Sequence, residues 1–139
     1  TPSQARRVVT SIRNNPEAAI ALVKMDLAGH CPIILDLDNR GCYLVSGEAK
    51  GLPYEKDKIS YAAAMQEAED LGIDLISYKR SEKLSELIHL STAESIWIKN
   101  PNDKSQDILR SEGKDIYSSS PREFQNDMSW RGEKFIPWS

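Results

Sequence analysis

The chain has 139 residues, of which 40% are apolar and 28% charged; this composition suits one folded domain and excludes a disordered polymer. The longest apolar runs, such as Ala18 to Val23, are too short to cross a bilayer, and no charged start leads into an apolar signal segment, so a cytoplasmic setting without a membrane partner is expected. The net charge of −3 argues against a protein that coats nucleic acid, because phosphate neutralisation by Lys and Arg supplies most of that affinity; protein is the favoured class of partner.

Two cysteines, Cys31 and Cys42, do not make a disulfide framework, and their spacing matches no zinc pattern. With only His30 and His89 present, a His-rich metal site is not expected.

Ser3 can cap a helix over Gln4 to Arg13, with Val8, Val9 and Ile12 on one side. Asn15-Pro16-Glu17 starts a second helix, because it joins a capping side chain, a proline at the first helical position and an acid in the first turn. That helix carries Ile20, Val23 and Leu27, and Gly29 is its expected stop.

The stretch Cys31 to Lys50, CPIILDLDNRGCYLVSGEAK, reads as a β-hairpin. By the period-2 rule Ile33, Leu35 and Leu37 share one face, and Ile34, Asp36 and Asp38 the other. Asp38-Asn39-Arg40-Gly41 is the expected turn, since Asn and Gly tolerate positive φ. The second arm runs from Cys42 to about Gly47, and Glu48 and Lys50 share a face if it continues.

A charged loop with Pro53 precedes a helix over Tyr61 to Leu71, capped by Ser60 and stopped by Gly72. Tyr61, Ala64, Met65, Ala68 and Leu71 recur in it at helical spacing. Ile73 to Tyr78 reads as a strand. A helix from Ser81 with Leu84, Leu87 and Ile88 inward follows, then a strand at Ser95 to Lys99 ended by Asn100-Pro101. Asp103 to Glu112 reads as a polar helix, Asp115 to Ser118 as a strand, and the remainder as a polar tail punctuated by Phe124, Trp130, Phe135 and Trp138. The expected fold is a single α+β domain over residues 1–139, with a mixed sheet that contains the hairpin and is flanked by helices. A parallel pair across the Tyr61 to Leu71 helix is a candidate connection.

The hairpin carries the one constellation that suggests a specific chemistry. Phosphodiester cleavage uses a divalent cation held by oxygen ligands, which suits Mg²⁺, and gains from a cation beside the developing charge. Asp36 or Asp38 with Glu48 would hold the metal, Lys50 would supply the cation, and Glu17 or Asp26 could be an outer ligand. Residues 15–78 resemble the restriction-endonuclease-like superfamily of PD-(D/E)xK phosphodiesterases in their element order and in Glu48-Ala49-Lys50. The chain departs from that pattern at Pro32-Ile33, where the family has Pro-Asp, and at Gly47, which interrupts the strand. A plainer reading makes Asp36 and Asp38 turn-flanking residues with local hydrogen bonds and Glu48 and Lys50 a solvated pair.

A second resemblance spans most of the chain. Asn14-Asn15-Pro16-Glu17, the Pro32 hairpin ending in Ser46-Gly47-Glu48, Ala62-Ala63-Ala64-Met65, Leu71-Gly72-Ile73-Asp74-Leu75, the segment from Ser95 to Pro101, Gly113 and Trp130-Arg131-Gly132 are similar in order to an uncharacterised bacterial family, a domain of unknown function. That resemblance implies one intact domain in a bacterial cytosol and no particular activity. It also implies that Glu48 has a counterpart while Lys50 does not stand in an E-x-K register.

Two further groups are candidates for binding. Trp97 alternates with Ile96 and Ile98 and so faces either a contact surface or a second core layer. Arg122, Trp130 and Arg131, with Lys134, Phe124 and Phe135, interleave basic and aromatic residues as single-stranded nucleic-acid binders do. The acids Glu123, Asp127 and Glu133 dilute that field, and a tail packed onto the sheet by its aromatics is the competing reading. The function favoured is a non-catalytic protein-binding or accessory module without a cofactor; the alternative is the Mg²⁺-dependent phosphodiesterase.

Overall fold

The computed structural model describes residues 1–50, 60–88, 95–102, 104–120 and 128–139. The loop around Pro53 and the residues His89, Arg122 and Phe124 lie outside them. Among the described residues, no helix is long and apolar enough to cross a membrane.

The fold is α+β. Helix α1 (Pro2–Arg13) begins at Thr1, not Ser3: the Thr1 hydroxyl accepts from the Gln4 N–H and the Gln4 side chain returns to the Thr1 backbone, a reciprocal pairing that satisfies two donors. Helix α2 (Pro16–Leu27) starts as its sequence dictates, with Asn15 accepting from the Ala18 N–H at 3.1 Å and Pro16 in the first turn. Helix α3 (Tyr61–Leu71) is capped by Ser60 and closed by Gly72 at φ +76°, a left-handed conformation that glycine adopts without steric cost. Helix α4 (Tyr78–Ile88) starts three residues before Ser81, so the strand expected over Ile73 to Tyr78 shrinks to β3 (Asp74–Leu75).

The hairpin forms as expected. Strand β1 (Pro32–Leu35) pairs antiparallel with β2 (Gly41–Ser46), from Pro32 opposite Ser46 to Leu35 opposite Tyr43. The positive φ falls on Asp36 (+59°) and not on Asn39 or Gly41. Gly41 is required for another reason: a Cβ there would stand 2.2 Å from the Ile136 carbonyl oxygen.

The C-terminal third differs from the expected pattern. The polar stretch before Glu112 is strand β5 (Ile108–Glu112), which lies between β4 (Ser95–Ile98) and β6 (Asp115–Ser119). The tail supplies two strands, β7 (Ser129–Trp130) and β8 (Gly132–Pro137). Among the described residues there are two four-stranded sheets, with orders β1-β2-β8-β3 and β6-β5-β4-β7. Strand β8 is thus internal and antiparallel to both β2 and β3. The candidate parallel pair across α3 does not form; the parallel pairing is between β4 and β7.

Period-2 alternation splits the core in two. Cys42, Leu44 and Ile136 pack with Ala18, Ala21 and Met25 of α2 and with Ala64 and Ala68 of α3. Val45, on the opposite parity, joins Leu35, Ile76, Leu84, Ile96 and Ile98. Strand β4 contributes to both, with Trp97 in the first cluster and its neighbours in the second.

Candidate functional site

The two ends of the hairpin carry separate polar groups. At the turn end, the Asp36 carboxylate accepts from Arg80 Nη1 at 3.3 Å. Arg80 also pairs through Nε with Glu133 of β8 and lies 3.6 Å over the Tyr43 ring. Glu133 accepts in turn from the Ser77 N–H at 2.7 Å. Asp38 accepts from the N–H groups of Arg40 (2.7 Å) and Gly41 (3.1 Å). These bonds, the Arg40 bond first, hold its carboxyl below the ordinary value of 3.8, because they favour the charged form.

At the open end, Glu48 is exposed, and its N–H donates to the His30 carbonyl at 2.9 Å. Lys50 exchanges two backbone hydrogen bonds of 2.9 Å with Trp130. Asp36 lies one residue beyond the Leu35–Tyr43 pair and Glu48 two beyond the Pro32–Ser46 pair. The paired ladder between them covers three residue steps, about 10 Å of strand, and each residue lies beyond it, so the two stand at opposite ends of the hairpin. The carboxylates expected to share a Mg²⁺ therefore do not converge, and Asp36 is already held by Arg80. Among the described residues, no group of three or more His, Cys, Asp or Glu is placed to hold a metal.

Of the residues offered for binding, Trp97, Trp130 and Arg131 are internal, and Arg122 lies outside the described residues. Trp97 is buried and meets Tyr61 edge-on with ring centroids 5.5 Å apart. Trp130 is buried and edge-on to His30 at 4.9 Å. Arg131 is buried and donates to the Ser46 carbonyl at 2.9 Å. Strand pairing of β7 and β8 turns these side chains inward, which the mixed polar and aromatic composition of the tail conceals.

The sequence reading missed a buried relay. His30 Nδ1 lies 2.8 Å from Ser46 Oγ, and its Nε2 lies 3.3 Å from Glu67 Oε1. Ser46 Oγ also accepts from the Gly132 N–H at 2.8 Å. With Nε2 carrying the proton toward Glu67, the Ser46 hydroxyl donates to Nδ1 and every group in the chain of bonds is satisfied. Serine, histidine and glutamate in series are the ingredients of a nucleophilic triad. Here both Ser46 and His30 are fully buried, so the arrangement clamps the Gly29–Cys31 corner to β2, β8 and α3. Glu67, six residues after Tyr61 on α3, has no local sequence link to His30.

The second missed feature is on the surface. Helix α2 buries Ala18, Ala21 and Met25 and leaves Ile20 53%, Val23 56% and Leu27 82% exposed, so its larger branched side chains face outward. Both triplets recur at helical spacing. The alanine face allows α2 to approach the alanines of α3 closely, which a face of branched side chains would prevent. Beside the exposed stripe, Glu17, Ile20 and Lys24 face Glu69, Asp70 and Lys134 across a shallow groove of about 240 Å³. Lys24 Nζ donates to the Asp70 carbonyl at 3.1 Å and Lys134 Nζ to the Gly72 carbonyl at 3.3 Å, where cations suit the negative end of α3.

The fold and these sites define an α+β chain whose chemistry-bearing residues are largely engaged with one another. Comparison with family models, with curated proteins and with solved structures returned no match.

Proposed function

We propose that this chain is a non-catalytic protein-binding module that works through the outer face of α2. The carrying observation is the exposed stripe of Ile20, Val23 and Leu27. A contiguous apolar stripe on a surface, rimmed by charged residues such as Glu17 and Lys24, marks an interaction site. The buried face of α2 is occupied by the core, so the outer face is the one left for a partner. The acidic balance of the chain favours protein over nucleic acid as that partner.

Site-specific photo-crosslinking in cells tests this reading. Benzoylphenylalanine at position 20, 23 or 27 is expected to give a discrete adduct, while the same group at position 83, on the exposed side of α4, is expected to give none. Failure of all three stripe positions to capture any protein in cells, or a second copy in purified protein, overturns the reading.

A further inference from the structure

We infer that the occupant of the α2 face is a second copy of this chain, with the two α2 helices packed antiparallel about a two-fold axis. The inference rests on the reading of that face as a docking surface.

Pro16, Ile20, Val23 and Leu27 are spaced four, three and four residues apart, the spacing of a coiled-coil seam. All four are exposed. An antiparallel two-fold sets Ile20 against the partner's Val23 and Pro16 against the partner's Leu27, so the seam is complementary to itself, as an isologous interface requires.

The charges beside the seam select this arrangement. Glu17 and Lys24 each follow a seam residue by one position and so lie on the same flank. The antiparallel axis brings Glu17 to the partner's Lys24 and, by symmetry, Lys24 to the partner's Glu17. On the other flank Asp26 faces the partner's Ala19, and no like charges meet. A parallel pairing would set Lys24 against the partner's Ala19 and leave both charges unmatched. The hydrogen bond from Lys24 to the Asp70 carbonyl uses one of three N–H donors, which leaves two for the partner's carboxylate.

Helix α2 has 12 residues and so spans about 18 Å. A single pair of such helices buries less than the roughly 800 Å² per partner of a standard interface, so a weak, concentration-dependent dimer is expected.

Sedimentation velocity on the full chain from about 5 to 500 µM tests the proposal. The mass is expected to rise with concentration from 15.6 kDa toward twice that value. Val23→Asp should abolish the rise with an unchanged circular dichroism spectrum. Glu17→Lys and Lys24→Glu should each weaken the dimer about tenfold, because each reverses two exposed pairs, and the double swap should return it to within about threefold of wild type. A monomer at every concentration, a dimer indifferent to Val23→Asp, or a double swap no better than the single changes overturns the second-copy proposal. Crosslinking from position 23 separates the two readings. An adduct of twice the chain mass from purified protein supports both. An adduct only with a different protein in cells overturns the second copy and leaves the docking surface standing. No adduct in either setting overturns both.

Discussion

Arg80 and Glu133 form a largely buried ion pair that fixes the first turn of α4 to the internal strand β8. Arg80 reaches on to Asp36 and covers the Tyr43 ring, so one guanidinium joins the hairpin turn, β8 and α4.

Removing Arg80 leaves the largely buried Glu133 carboxylate without its cation. Arg80→Met is therefore expected to destabilise the fold by about 3 kcal/mol, measured by urea denaturation. The double variant Arg80→Met/Glu133→Gln should lose less than the sum of the single changes, because the two residues share one interaction.

The relay around Ser46 makes a second prediction. Ser46→Ala removes the acceptor of the Gly132 N–H and the partner of His30 Nδ1. Two buried polar groups are left unsatisfied, and a loss of about 2 kcal/mol or more is expected in the same measurement.

The orientation of α2 can be read directly from stability. Ala21→Leu inserts a branched side chain at a buried position and should cost about 1 to 3 kcal/mol. Val23→Ser, on the exposed face, should change the stability of the monomer by no more than about 0.5 kcal/mol. The opposite ranking would mean that the helix is turned the other way.

Asp38 ties acid stability to the hairpin turn. Its folded-state pKa lies below the ordinary 3.8, first through the Arg40 N–H bond and then the Gly41 N–H bond. A depressed carboxylate contributes stability that is complete above the unfolded value and is lost as pH falls through the folded one. The stability difference between wild type and Asp38→Ala should be constant above about pH 5 and shrink below the ordinary carboxylate range, as thermal melts across pH would record.

The phosphodiesterase alternative makes a calorimetric prediction of its own. With Glu48 and Asp36 at opposite ends of the hairpin, Mg²⁺ titrated into wild type and into Glu48→Ala should give the same heats. A heat that vanishes with Glu48 would show that the carboxylates meet in some other state of the protein.

Much of the N-terminal half was legible because its signals are local. Asn15-Pro16 and Ser60 each supply the cap that starts a helix, Gly72 the left-handed stop, and Ile33 to Leu35 the alternation of a hairpin arm. What escaped depended on partners distant in sequence. Strand β8 carries Glu133 and Lys134 in its middle, a pattern that reads as exposed tail until Arg80 is seen to neutralise the first and the Gly72 carbonyl to receive the second. The segment before Glu112 became a strand because β4 and β6 flank it, which no periodicity within Ile108–Glu112 announces. Helix α2 offered two apolar faces at equal spacing, and the choice was made by the alanines of α3. The hairpin was legible as a structure, but whether Asp36 and Glu48 meet depends on how many residues separate them along the ladder, a matter of strand length rather than residue type.

The placement of β8 between β2 and β3 has a consequence for biosynthesis. A nascent chain emerges from the ribosome with its N-terminal portion first. The hairpin and β3 are therefore exposed well before residues 132–137 leave the tunnel, and until then the facing edges of β2 and β3 lack the strand that joins them. Such long-range pairing slows folding, and unpaired edges invite other chains. During synthesis this protein thus passes through a stage in which its sheet is a frame with the middle slat missing, and a chaperone or a neighbouring nascent copy would find it most receptive then.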